Sequence, residues 1–186
     1  VNILVPLADG FEEVEAVTII DVLRRAGLTV KTASVTASTD VKGSHGIVVR
    51  ADSQLSMCDP TGFDAIALPG GPGTKNLRDS AKVLECITTI HAGGGVCAAI
   101  CAAPTVLACT GILKDRKVTC FPGDENSLNG GIYTGSNVEV DGRIVTGKSA
   151  GTALVFSLML VKVLLGAGAA SKLKSGMYSS MDGLDF

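Results

Sequence analysis

Apolar residues fall in short blocks separated by polar punctuation. The first block, VNILVPLA, is β-branched and apolar, which predicts a buried strand. FEEVEAVTIIDVLRRAG follows, with acids in its first turn, arginines in its last and Gly27 as a stop, so both ends of a helix are marked. LTVKTASV reads as a second strand, and the polar stretch closing in GIVVRAD as a hairpin. DAIALPG is a strand, SAKVLECITTIHAGG a helix with a glycine stop, GVCAAIC a strand and AAPTVLACTG a helix. KVTCFP reads as a further strand, and VEVDGRIVTG as a hairpin turning at Asp141-Gly142. The last apolar run, Ala150 to Ala170, approaches membrane-spanning length, but Lys162 lies near its middle, where insertion is costliest. It reads as one long core helix.

Strands alternating with helices, and apolar throughout, predict an α/β fold: a doubly wound, mostly parallel sheet with helices on both faces. No repeat or Pro/Ser-rich linker divides the chain, so residues 1–186 are expected to form a single domain. Ligands of such sheets bind at the carboxyl ends of the strands, which directs attention to the strand-to-helix turns.

Composition narrows the function. The net charge is −2, with 18% charged residues and no basic run, so neither nucleic acid nor a membrane is expected as a partner. The six cysteines include no CxxC pair, and with two histidines they suggest no metal site; reduced thiols in the cytoplasm are the plain expectation. No signal peptide is visible, although the chain does not begin with Met, which leaves room for a segment ahead of it. SKL at Ser171–Leu173 is internal and carries no peroxisomal address.

Three turns are candidates. VCAAIC runs into AAPT without loop residues, and Pro104 confines the helix start to about Ala102, so Cys101 lies on an elbow. The helix N-terminus is expected to lower its thiol pKa. Spacing alone leaves Cys101 open between a nucleophile and a small core residue, whereas Cys97 and Cys109 read as core. At LPGG, Gly71 is either a tight-turn glycine or, with Ala102, a backbone oxyanion donor. In GFEEVEA, Glu12 and Glu13 are accounted for by capping or solvation at the helix terminus, but Glu15 shares an apolar stripe with Ile19, Val22 and Ala26. GRIVTGKS, Gly142 to Ser149, matches the phosphate-loop pattern, yet RIVT reads as a strand, which cannot curl around phosphates.

GFEEVEA, LPGG and AAICAAP, in that order, resemble the ThiJ/PfpI superfamily, and within it the parkinsonism-associated branch of small deglycase and redox-sensor proteins. The resemblance runs from Val1 to about Lys174, supported by DVLRRAG, NGGIYT and VFSLMLV. It implies a flavodoxin-like, class I glutamine amidotransferase-like sandwich that forms homodimers. It also implies Cys101 as nucleophile, Glu15 as its acidic partner, and Gly71 and Ala102 as oxyanion donors. Many relatives place a histidine where Phe121 stands, and His45 and His91 fall outside any matching motif, which disfavours a Cys–His triad. The expected activity is that of a glyoxalase or deglycase, a hydro-lyase or hydrolase that needs no cofactor. It would act on small aldehydes and dicarbonyls such as methylglyoxal, or on their early adducts. In that reading Glu15 stays protonated, donates to the Cys101 sulfur and shuttles the proton. The alternative is an oxidative-stress sensor or chaperone in which Cys101 becomes a sulfinate with little turnover.

Overall fold

The computed structural model describes residues 1–177; the last stretch of the expected domain, 178–186, lies outside the described residues. Strands β1 (Asn2–Leu7), β2 (Thr29–Ser34), β5 (Ser53–Gln54), β6 (Ala65–Leu68), β7 (Val96–Ile100), β10 (Val138–Asp141) and β11 (Ile144–Gly147) form one sheet in the order β10-β11-β7-β6-β1-β2-β5. Every pairing is parallel except β10 with β11. A hairpin, β3 (Asp40–Lys42) with β4 (Val48–Arg50), and a short pair, β8 (Lys117–Val118) with β9 (Ile132–Tyr133), stand apart from it.

Alternate residues of the central strands serve two cores. Ile3, Val5 and Leu7 of β1, with Ala98 and Ile100 of β7, face α1 (Glu13–Arg25), α5 (Ala153–Leu165) and α6 (Ala167–Gly176). Leu4 and Ile66, with Cys97 and Ala99, face α3 (Ala81–Ala92) and α4 (Pro104–Cys109), beside the short α2 (Thr74–Arg78). Sequestering each such Leu or Ile stabilises the fold by about 1.5–3 kcal/mol. The doubly wound, mostly parallel architecture is therefore the one its apolar pattern predicts, and its flavodoxin-like arrangement the one the resemblance implies.

Local departures have physical causes. The run from Ala150 is not one helix, because Gly166 takes φ +91° and separates α5 from α6. The hairpin loop is Gly142-Arg143, one residue later than expected, since Asp141 pairs with Ile144 and Gly142 supplies the positive φ. KVTCFP contributes only Lys117–Val118 as strand, because Thr119 turns away to bond Thr146 and Ser136. Among the described residues no helix is long and apolar enough to cross a membrane.

Candidate active site

β7 delivers Cys101 to the carboxyl edge of the sheet. Helix α4 begins at Pro104, two residues later than expected, and residues 101–103 form the turn between strand and helix. Cys101 adopts φ +64°, a left-handed conformation that costs a residue with a side chain roughly 1–2 kcal/mol. Two main-chain hydrogen bonds hold it there: its N–H donates to Gly147 O at 2.9 Å, and its carbonyl accepts from Phe121 N–H at 2.8 Å. The bend leaves the sulfur at the sheet edge, partly exposed.

Glu15, in the first turn of α1, is fully buried. Its Oε2 accepts the Gly70 N–H at 2.7 Å, while Oε1 accepts no hydrogen bond of good geometry. Gly70 lies against both reactive side chains: a Cβ there would fall 2.7 Å from Cys101 Cβ and 2.9 Å from Glu15 Oε2. Gly71 takes φ +92°, and its Cβ would fall 2.5 Å from the Glu12 nitrogen, so glycine is required at that turn. The N–H groups of Ala102 and Gly71 approach the Cys101 sulfur and favour its thiolate. The structure thus brings together Cys101, Glu15, Gly71 and Ala102.

The protonation of the pair corrects one expectation. The Cys101 thiol is not lowered: burial and then the neighbouring Glu15 charge push it up to about 12, outweighing the Ala102 and Gly71 amides. Burial likewise raises Glu15 to about 7, although the Gly70 amide opposes it. The thiol perturbs the carboxyl without forming a well-aligned Sγ–Oε hydrogen bond in this conformation. The two groups act as one coupled system that holds a single proton between these limits.

The other candidates separate from this site. Cys97 is buried in β7 and pushed up to about 12 by burial, a core residue as expected. Cys109 is not core: it ends a helix of only six residues, is exposed, and bonds back to Thr105 O at 3.3 Å. Gly142–Ser149 is no phosphate loop, since Ile144–Gly147 pairs with β7 and β10 as a buried strand. Phe121 is 46% exposed and meets Cys101 through its backbone amide. His91 lies in the last turn of α3 with Nδ1 buried and unbonded.

Glu13 is the residue that sequence reasoning undervalued. It is not a solvated first-turn acid but a buried clamp, its Oε1 accepting the His45 N–H at 2.6 Å and the Ile47 N–H at 3.3 Å. Its Oε2 contacts Ser44 Oγ at 3.1 Å and His45 Nδ1 at 2.9 Å. Burial alone would raise this carboxyl, but the His45 side-chain bond and the backbone donors together hold it at about 2. Only the polar GSHG turn hinted at such a partner. Glu13→Gln is expected to lower the melting temperature by a few degrees at neutral pH, a loss of about 1–3 kcal/mol. A carboxyl depressed in the fold stabilises above its unfolded value and loses that effect as pH falls toward about 2, so the gap should shrink in acid. Thermal melts of both proteins across that range check this.

The family model described as DJ-1/PfpI matches residues 1–163. The chain belongs to the DJ-1/PfpI family. It is 41% identical over 168 residues to protein DJ-1 homolog B of Arabidopsis thaliana, covering 89% of this chain and 38% of the plant protein. The chain thus spans well under half of that relative. It is 38% identical over 166 residues to the glutathione-independent glyoxalase DJR-1.2 of Caenorhabditis elegans, covering 88% of each chain. The solved structure of oxidized Toxoplasma gondii DJ-1 superposes with a TM-score of 0.93 at 38% identity, covering 97% of this chain and 99% of that one. The DJ-1/PfpI framework accordingly extends through the Cys101 elbow and the α1 acid.

Proposed function

We propose that this protein is a cofactor-independent cysteine enzyme that converts methylglyoxal-type dicarbonyls, or their early adducts, into hydroxy acids. The observation that carries the reading is the partly exposed Cys101 elbow against the buried Glu15 carboxyl, with two backbone amides facing the sulfur. The worm relative named a glyoxalase supports it.

As sulfur adds to the aldehyde carbon, its proton passes to Glu15. A C–S bond forms and the carbonyl pair moves to oxygen, held by the Gly71 and Ala102 amides until Glu15 gives the proton back to form a hemithioacetal. Glu15, ionised again, takes the proton from that carbon and returns it to the adjacent one, while the hydroxyl proton passes to the neighbouring oxygen, giving a lactoyl thioester. Water then cleaves the C–S bond, releasing lactate and the thiol, so methylglyoxal plus water balances lactate. The test is lactate formation from methylglyoxal without glutathione, lost in Cys101→Ala.

Phe121 in place of an imidazole and a Glu15 able to hold a proton favour a second reading, that of a redox sensor. There the same donors would bind a Cys101 sulfinate, as peroxide treatment followed by intact-mass analysis would reveal. A sensor would oxidise selectively at Cys101 and form no lactate.

The setting we infer is cytoplasmic, which the six free cysteines support. Homodimerisation is also inferred. Val14 and Val17, one turn apart on α1, are exposed, as are Ile47 and Val48 of the hairpin that bonds Glu13 on the same helix. Val17→Glu is expected to convert a dimer into a monomer on light scattering, with the far-ultraviolet spectrum unchanged.

A further inference from the structure

Where the first helix meets the β3–β4 hairpin, two carboxylates and an imidazole converge. His45 Nδ1 lies 2.9 Å from Glu13 Oε2 and 3.7 Å from Glu12 Oε2. Ser44 Oγ lies 3.0 Å from that nitrogen, 3.1 Å from Glu13 Oε2 and 3.3 Å from Glu12 Oε2. The three ligand atoms of Glu12, Glu13 and His45 all fall within 4.8 Å of one another. Donors 2.0–2.1 Å from a tetrahedral zinc stand about 3.3 Å apart, between the 2.9 Å and 3.7 Å that separate His45 Nδ1 from the two carboxylates.

Charge supplies an independent reason. The Glu12 and Glu13 side chains are only 17% and 6% exposed, and the basic nitrogen they share as an ion-pair partner is that of His45, itself 71% exposed. Two adjacent, poorly hydrated carboxylates facing one imidazole are an arrangement that a cation relieves. Neutral imidazole is also the form that binds metal.

We propose that Glu12, Glu13 and His45 form a divalent-cation site with the donor set of zinc, the fourth position being taken by water or by the Ser44 hydroxyl. The set is drawn from two elements, so the ion pins the hairpin turn to the start of α1. It does not depend on the Cys101 chemistry proposed above.

Zinc chloride titrated calorimetrically into the full chain tests this, in a parent carrying Cys101→Ser and Cys109→Ser so that the partly exposed and exposed thiols cannot compete. The expected result is one ion per chain and a rise in melting temperature. His45→Ala and Glu12→Gln should each weaken binding by about 10-fold or more and abolish the thermal shift. Neither variant removes the Glu13 contacts to the hairpin backbone, so folding is preserved. No zinc uptake by the parent, or uptake of equal affinity in both variants, overturns the proposal.

Discussion

Cys101→Ala is expected to abolish lactate formation from methylglyoxal, and Glu15→Gln to slow it by about 10²–10⁴-fold. The first removes the sulfur that forms the C–S bond at this site. The second keeps the shape and the Gly70 contact region but cannot accept or return a proton. The pH profile separates a proton shuttle from a merely structural acid. With Glu15 raised to about 7 and Cys101 to about 12, the pair passes from two protons to one near neutrality, so wild-type activity should climb through about pH 7. In Glu15→Gln the charge that opposes the thiolate is gone, and iodoacetamide labelling of Cys101 should titrate at lower pH than about 12. An acid whose folded value is raised contributes stability below its unfolded value and loses it as pH rises through about 7. Glu15→Gln is therefore expected to melt higher than wild type in mild alkali while turning over far less. A variant that keeps both its rate and its labelling profile would remove Glu15 from the chemistry.

Gly70→Ala is the second large effect, of about 10²-fold in kcat, with a smaller stability loss of about 1–3 kcal/mol. The added methyl would press on Cys101 Cβ at 2.7 Å and Glu15 Oε2 at 2.9 Å, forcing the reactive pair apart. Gly70 is not among the positive-φ residues, so the penalty is local crowding rather than backbone strain. Gly71→Ala is less informative, since its φ of +92° and its clash with the Glu12 nitrogen at 2.5 Å threaten the fold itself. Steady-state kinetics with parallel melts measure both quantities. Full activity in Gly70→Ala would mean that the pair tolerates separation, contrary to a direct proton transfer.

The architecture was legible because periodicity reports burial: β1, α1 and β7 carry strict apolar signatures and clear stops. The elbow was legible too, because Pro104 fixes where a helix can start. What escaped depends on contacts across the chain. α2 has five residues and no apolar period, and the break at Gly166 hides within a small-residue stretch that could continue a helix. Cys109 looked apolar in sequence, but a helix two residues shorter at its start is too brief to bury its end. The thiol's direction was misjudged because the desolvation of Cys101 and the closeness of Glu15 exist only after folding. Glu13 was misread for the same reason, its partners lying more than thirty residues away.

The amide that grips the Cys101 carbonyl belongs to position 121's main chain, not to its ring. Nearly any amino acid there can offer the same handhold. Aiming the sulfur is thus secured by main-chain bonds and sheet register, whatever ring stands at 121. Exchanging benzene for imidazole at 121 should therefore leave the sulfur where it is.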